Sequence, residues 1–421
     1  MPRLSVVLED FFNIDSFRLA KVIQSIETPV YVYNAHAVIN NLNFLTATLS
    51  SLIKQKLLIR YAVKANSNNS ILKLVAQHGA GVEVVSGGEL RRALRASIPT
   101  NRIVFSGVGK TREELEFATN EQIEQISVES IEELTLLASL SKKANLCLRL
   151  CPNITALTHD KITTGRSCDK FGIALDQLPD AYSVLKANPQ LNFLGFSVHI
   201  GSQIQSTEPF RETFKILAKL LRDMPGGLEV KRLDLGGGFF VPYHDHEKPF
   251  DWKAYAEAIL EELGDFQGEL VIEPGRFLVA NAGVLLTKIL YIKKTSEKTF
   301  IIVDAGMNDM MRTALYGVQH AIVPVNPSQD SQTQRVDVVG PVCESSDYFA
   351  KDIDLPLDLK QGDYLAVTCT GAYGASLSST YNSRPLIAEV LIDNKRPYLI
   401  REAISADYLS TFEPIRLCHE T

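Results

Sequence analysis

The chain is poor in the features that would mark it as secreted, membrane-bound or nucleic-acid-binding. Its six cysteines (Cys147, Cys151, Cys168, Cys343, Cys369, Cys418) are spread thinly over 421 residues. That is unlike the dense disulfide framework of a small secreted scaffold, so reduced thiols are expected. There is no excess of positive charge: 43 Lys and Arg against 49 Asp and Glu leave a net charge of -6. Without a basic footprint, neither a nucleic acid nor an anionic membrane surface is an expected partner. No long apolar run is free of charge. The most apolar stretch, Leu270 to Ile292, is interrupted by Glu273, Arg276 and Lys288, too many for a spanning helix. The first dozen residues contain Glu9 and Asp10 and lack an apolar signal core, so a cytoplasmic location is expected. No internal repeat or low-complexity linker is present, and no metal site is expected. Cys147 and Cys151 lie on one side of an apolar strand with no second close pair to complete a zinc set, and read as core.

What is present is an ordinary globular composition, 45% hydrophobic and 22% charged, on a chain long enough for two domains. Strand-like runs alternate with amphipathic helical ones over the first two thirds. The strands read as Arg60–Ala65, Val82–Ser86, Ile103–Gly107, Gln125–Glu129, Leu146–Leu150, Gly195–Ile200, Arg232–Gly236 and Leu270–Glu273. Between them, helical spacing marks Ile71–His78, Gly88–Ala96, Arg112–Asn120, Ile131–Lys143, Phe210–Met224 and Trp252–Leu263. Eight such units in series predict an α/β fold, a (β/α)8 TIM-like barrel over residues 28–280. After about Asn281 the long helices stop and strands follow one another, which predicts a C-terminal all-β domain over 281–421. The strand-like opening, residues 1–27 with Leu4 to Phe12 at its centre, is expected to pack on that β domain.

In such a barrel the chemistry sits where the strands end, and phosphate is commonly held by the loops after strands seven and eight. Strand one leads into Tyr61-Ala62-Val63-Lys64-Ala65-Asn66, so the Lys64 amine starts in a partly dehydrated setting that favours its uncharged, nucleophilic form. That form can attack an aldehyde. A lysine of this kind taken alone is more often a surface cap on a strand. Gly236, Gly237 and Gly238 expose backbone N–H groups to an anion, and Arg276 adds a fixed positive fork one strand later. Together they suit a phosphate monoester. His199, at the end of strand six, would as a lone histidine more often be a satisfied core residue. Two other motifs are read as bland. Ser106-Gly107-Val108-Gly109-Lys110-Thr111 resembles the end of a phosphate-binding P-loop, but Val104 stands in place of the first glycine, so it is a strand-to-helix turn. His244-Asp245-His246 sits in a polar loop without fixed metal geometry.

The strand-end residues also carry a resemblance. Tyr61-Ala62-Val63-Lys64-Ala65-Asn66, Ser86-Gly87-Gly88-Glu89-Leu90, His199-Ile200-Gly201-Ser202-Gln203, Leu235-Gly236-Gly237-Gly238 and Glu273-Pro274-Gly275-Arg276 resemble the motifs of the alanine-racemase-fold, type III pyridoxal-phosphate-dependent decarboxylases. Within that family the likeness is strongest to the branch acting on meso-2,6-diaminopimelate. Further motifs follow in order: Thr28-Pro29-Val30-Tyr31-Val32-Tyr33, Thr164-Gly165, Lys170-Phe171-Gly172-Ile173, Asp304-Ala305-Gly306-Met307-Asn308-Asp309, Gly340-Pro341-Val342-Cys343-Glu344 and Gly371-Ala372-Tyr373. The resemblance implies pyridoxal 5'-phosphate as cofactor, held as a Schiff base by Lys64, with His199 stacked on the ring and Glu273 at the ring nitrogen. It places Ser202, Gly236, Gly237, Gly238, Gly275, Arg276 and Tyr373 around phosphate or substrate. It gives Arg276, Arg312 and Tyr316 to substrate carboxylates, Glu344 to an amino group, and Cys343 to proton donation. It further implies a homodimer, with Cys343 and Glu344 coming from the neighbouring subunit. The implied activity is release of carbon dioxide from meso-diaminopimelate to leave L-lysine. The alternatives are decarboxylation of another basic amino acid such as ornithine or arginine, an amino-acid racemase of the same fold, or a catalytically silent homologue that binds a protein. This sequence departs from the pattern at Glu83, where Asp is expected, at Thr313 after Arg312, and at Phe239-Phe240-Val241 after the glycines, where smaller residues are usual.

Overall fold

A computed structural model describes residues 27–154, 169–244, 246–325 and 332–415. The opening segment through residue 26, Thr164-Gly165, Cys168, Asp245 and Cys418 lie outside the described residues. The chain divides into two compact units, one running from Val38 to Leu278 and one combining the residues up to Ala37 with those from Val279 onward.

The first described strand, β1 (Val30–Asn34), is buried at every position. It pairs antiparallel with the strand Gly283–Lys294 and parallel with Ala388–Asp393, so it belongs to the β unit. The sequence reading counted residues 28–34 with the barrel. Alternation and apolarity identify a strand, but they carry no information about which sheet supplies its hydrogen-bond partners. Helix α1 (Ala35–Leu52) follows it.

The barrel unit is built from β2 (Lys56–Ala62), β3 (Gly81–Val84), β4 (Ile103–Phe105), β5 (Gln125–Val128), β6 (Ala144–Cys151), β8 (Leu191–Val198), β9 (Arg232–Asp234) and β10 (Glu269–Ile272), with the two-residue β7 (Ile173–Ala174) lying beside β6. All neighbours are parallel, and β10 pairs back onto β2, closing eight strands into a barrel. All eight expected strands are present. The intervening helices start where the sequence supplies caps. Ser86, Thr111, Ser130 and Asp251 each accept a hydrogen bond from a backbone N–H two or three residues into the following helix, and Thr111 and Glu114 form a reciprocal capping box. The helix expected to reach Lys143 stops at Ser139, because Ser141 adopts a left-handed φ of 54°. A helix over Leu178–Ala187 was not foreseen. Cys147 and Cys151 are buried, as expected of core positions.

The β unit is a mixed sheet rather than a purely antiparallel one. It comprises β1, β11 (Gly283–Lys294), β12 (Thr299–Val303), β13 (Ile322–Pro324), β14 (Thr333–Val339), β15 (Tyr348–Pro356), β16 (Tyr364–Val367), β17 (Ala388–Asp393) and β18 (Arg396–Arg401). The order along its main path is β15-β14-β12-β11-β1-β17-β18, with β12 and β14 parallel. Val30, Val32, Val284, Leu286, Ala366 and Val390 form its apolar centre. Among the described residues no helix is long and apolar enough to cross a membrane.

Candidate active site

The barrel brings one set of side chains to the C-terminal ends of its strands. After β2, the Tyr61 hydroxyl donates to the Asn66 carbonyl at 2.9 Å and ties down the single 3-10 turn Val63–Ala65 that carries Lys64. The next strand supplies a partner. Glu83, in β3 and almost wholly buried, receives the Lys64 Nζ at 3.1 and 3.3 Å on its two carboxylate oxygens. The Lys64 side chain keeps 37% of its exposure, so the amine is anchored yet open to a reactant.

After β8 comes His199. Its Nδ1 accepts a hydrogen bond from the Gly237 N–H at 3.2 Å, which leaves the ring proton of the neutral form on Nε2. Burial, followed by the nearby positive charges of Lys64 and Arg149, holds this imidazole well below the ordinary histidine range. It is a neutral, flat group at the barrel mouth. Glu273 follows β10 in the same buried space. Burial first, then the Asp234 and Glu83 carboxylates, push its carboxyl well above the usual range, while Lys64 and Arg149 pull the other way. Asp234, at the end of β9, is itself pushed up to about 6 by burial. Burial and the neighbouring carboxylates thus favour the neutral form of Glu273.

The glycine run after β9 could not be anything else. A Cβ on Gly237 would stand 2.2 Å from the Glu273 carbonyl oxygen. One on Gly238, whose φ is +96°, would stand 2.1 Å from the Gly201 carbonyl. Three consecutive residues thus bring bare backbone against the strand ends. Arg276 completes the cradle from the segment after β10, donating to the Ser202 hydroxyl at 3.2 Å and to the Tyr243 hydroxyl at 2.6 Å. Gly275 lets that segment lie on β2, with room for a Cβ only at 3.0 Å from the Ala62 side chain. A partly exposed lysine amine, an anion cradle of backbone N–H, hydroxyl and guanidinium groups, and a buried carboxyl at one barrel end fit pyridoxal phosphate.

The β unit carries a second set. The short helix Arg312–Tyr316 is preceded by the turn Asp304–Asp309. Arg312 is buried and its Nε donates to His320 Nε2 at 3.2 Å, while His320 Nδ1 lies 2.8 Å from the Thr368 carbonyl. That carbonyl fixes the proton on Nδ1 and leaves Nε2 to accept. Tyr373, at a left-handed φ of 56°, has its ring centre 6.0 Å from the Arg312 guanidinium carbon. Tyr316 is half-buried at the end of the same short helix, and Thr313 is buried inside it. Cys343 and Glu344 are exposed on the loop between β14 and β15.

Several site residues escaped the sequence reading. Tyr243 lies in a loop with no motif of its own. Arg149 and Asp234 are polar residues within apolar strands, the one legible signal that a barrel interior does more than pack. Arg149 donates to Glu129 at 2.7 Å and packs 5.0 Å from the Phe171 ring centre. The P-loop-like Lys110 is fully engaged, donating to Gly107 O, Ser127 O and Glu133 at 2.7 Å each, as a strand-to-helix turn would have it. Phe239 turns into an aromatic cluster, 4.7 Å from Trp252 and 5.3 Å from Tyr255 between ring centres. Its bulk is absorbed by packing behind the glycines. Among the described residues no group of three or more His, Cys, Asp and Glu side chains is placed to hold a metal ion.

Comparison with known proteins places these features in a family. The model of the pyridoxal-dependent decarboxylase, pyridoxal binding domain, matches residues 43–280. The diaminopimelate decarboxylase of Zymomonas mobilis is 41% identical over 402 residues, covering 94% of this chain and 95% of that protein. A crystal structure of diaminopimelate decarboxylase from Helicobacter pylori complexed with L-lysine superposes with a TM-score of 0.87 at 39% identity, covering 94% of this chain and 99% of the other. The diaminopimelate decarboxylase of M. jannaschii in co-complex with L-lysine gives a TM-score of 0.87 at 34% identity, covering 94% of each.

Proposed function

The chain belongs to the diaminopimelate decarboxylases of the pyridoxal-dependent decarboxylase family, and from that premise we propose how its own residues carry the reaction. The activity is the pyridoxal-phosphate-dependent decarboxylation of meso-2,6-diaminopimelate to L-lysine and carbon dioxide. The observation that carries the reading is the presence, at one barrel end, of Lys64 and of the cradle formed by Gly236–Gly238, Ser202 and Arg276. One cofactor bearing an aldehyde and a phosphate has a use for both.

In the proposed site Lys64 would hold the aldehyde carbon of the cofactor, and Glu83 would orient the Lys64 amine. The glycine N–H groups, Ser202 and Arg276 would hold the phosphate, and the resemblance also assigns Tyr373 to phosphate or substrate. His199 would lie against the ring, and the lowered affinity of its imidazole for a proton keeps positive charge off that face. Glu273 would face the ring nitrogen and hold a proton there. When bound, the cofactor supplies the electron sink for the pair left behind as the bond from Cα to the carboxylate breaks. Cys343 then delivers a proton to Cα, so that the departing carboxyl leaves as carbon dioxide and a hydrogen takes its place. A positioned acid of this kind contributes about 10²- to 10⁴-fold.

Selectivity resides at the far end of the substrate. As the resemblance implies, Arg276, Arg312 and Tyr316 would hold substrate carboxylate, Arg312 and Tyr316 the second one, and Glu344 would receive an amino group. A substrate without that carboxylate would lose this grip, which disfavours ornithine and lysine. The resemblance supports a homodimer in which Cys343 and Glu344 serve the neighbouring subunit. A racemase would need a base on each face of the ring and a weak sink, and Glu273 argues against the second.

The test is direct. Purified protein with pyridoxal phosphate should release carbon dioxide from meso-diaminopimelate and accumulate L-lysine. Release from ornithine or arginine in place of diaminopimelate would overturn the substrate, and inversion of configuration without carbon dioxide would establish the racemase.

A further inference from the structure

The loop from Gly340 to Asp347 presents Cys343 and Glu344 to solvent, so no apolar packing fixes either residue. Its base is secured by Asp347, whose carboxylate accepts from Met307 N at 2.7 Å and Val342 N at 2.6 Å. Its tip is secured by a different segment, the 3-10 turn Tyr381–Ser383. The Tyr381 hydroxyl donates to Glu344 Oε1 at 2.5 Å, and the Cys343 N–H donates to Asn382 Oδ1 at 3.1 Å. Neither residue is absorbed by the reading above.

The turn is itself anchored. Asn382 has a left-handed φ of 56°, a conformation that Asn and Asp tolerate better than other side chains. Arg384, just beyond, donates from Nε to Asn308 Oδ1 at 2.9 Å and from Nη2 to the Asp304 carbonyl at 2.5 Å. The turn Asp304–Asp309 that receives it leads into Arg312. A single four-residue segment therefore connects the loop of the proton donor to the turn that precedes the carboxylate grip. Exposed polar contacts of this kind add little to global stability. Their effect is on orientation: a glutamate on a solvent-facing loop samples several rotamers, and a short charge-assisted bond from a phenol selects one.

From these contacts we infer that Tyr381 and Asn382 are positioning residues, Tyr381 setting the Glu344 carboxylate for the substrate amine and Asn382 setting the Cys343 backbone for proton delivery to Cα. This rests on the reading of Cys343 and Glu344 given above, and it predicts a separation of kinetic effects. Glu344 acts in binding, so Tyr381→Phe should raise KM for diaminopimelate about tenfold with kcat within about twofold, the loss expected for a hydrogen bond to a charged group. Cys343 acts in the transition state, so Asn382→Ala should lower kcat about tenfold with KM within about twofold. Asn382→Asp keeps both an acceptor and tolerance of the left-handed backbone, and should restore kcat to within about threefold.

The experiment is steady-state kinetics of the holoenzyme with meso-diaminopimelate on these three variants, with Cys343→Ala and Glu344→Gln as references and Tm on all five. Tyr381→Phe removes one oxygen from a 44%-exposed side chain, so it tests the idea even if Asn382→Ala folds poorly. If the two references lose activity while Tyr381→Phe and Asn382→Ala keep wild-type kcat and KM, the positioning role is wrong and the reading of the loop stands. If the references themselves retain wild-type kinetics, the reading falls and the inference falls with it.

Discussion

Lys64 and Glu83 form an ion pair across two adjacent barrel strands, Nζ to Oε2 at 3.1 Å, with the carboxylate almost fully buried and the amine partly open. The register that pairs Ala62 with Glu83 puts the carboxylate beside the turn that carries the lysine. Where the family pattern expects Asp, this chain uses the longer acid and reaches the amine with both oxygens.

Neutralising that acid should be felt in turnover. Glu83→Gln is expected to lower kcat/KM by roughly 10- to 100-fold, the range for losing a hydrogen bond to a charged group, with the cofactor absorbance retained. Lys64→Ala should lose both turnover and the borohydride-stable label that marks the cofactor's attachment point. Label found on another lysine would refute the assignment of Lys64.

The glycine cradle should tolerate no side chain. A methyl on Gly238 must intrude on the Gly201 carbonyl and hold a left-handed backbone as well. Gly238→Ala is therefore expected to weaken cofactor binding by at least about tenfold, and to lower Tm through strain of about 1–3 kcal/mol. Cofactor titration followed by absorbance, with a parallel thermal melt, checks both.

Glu89 gives a pH prediction. Its carboxylate accepts the Val85 N–H at 2.9 Å at the start of the helix Gly87–Arg95, and burial pushes its carboxyl up to about 7 from an ordinary 4.5. The folded state therefore binds this proton more tightly than the unfolded chain does. Its contribution to stability is fully present below about 4.5 and is lost as pH rises toward 7. Glu89→Gln keeps an acceptor for Val85 without the charge. In the cofactor-free protein it should be more stable than the parent at pH 8 and show a shallower fall of Tm between pH 4.5 and 7. Parallel Tm curves for the two proteins would contradict this.

Phe239 should matter for folding rather than selectivity. Its ring is buried among Phe210, Phe250, Trp252 and Tyr255. Phe239→Ala is expected to cost about 3–5 kcal/mol of stability, the usual range for emptying an aromatic core position. At a temperature where the variant remains folded, its preference for diaminopimelate over ornithine should stay within about twofold of the parent. A large change in that ratio would put the residue at the pocket's edge after all.

Much of this molecule was legible before any coordinates. The eight barrel strands and the strand-end placement of Lys64, His199, Gly236–Gly238, Glu273 and Arg276 follow from local signals: apolar runs and the helical spacing between them. These depend on neighbours within a few residues, and a chain carries such information in its order. Strand β1 was visible as a motif, yet its sheet was not, because Val30 pairs with Leu286 and Ala388, hundreds of residues away.

The same limit applied within the site. That Glu83 would meet Lys64, that Tyr243 would meet Arg276, and that Tyr381 and Asn382 would hold Glu344 and Cys343 are matters of long-range register and loop packing. The order of residues specifies which chemical groups stand at the strand ends and therefore which cofactor they suit. Their affinity for protons and their aim come from folding, since burial raises Glu273 and lowers His199 among neighbours that the chain brings close by closing the barrel.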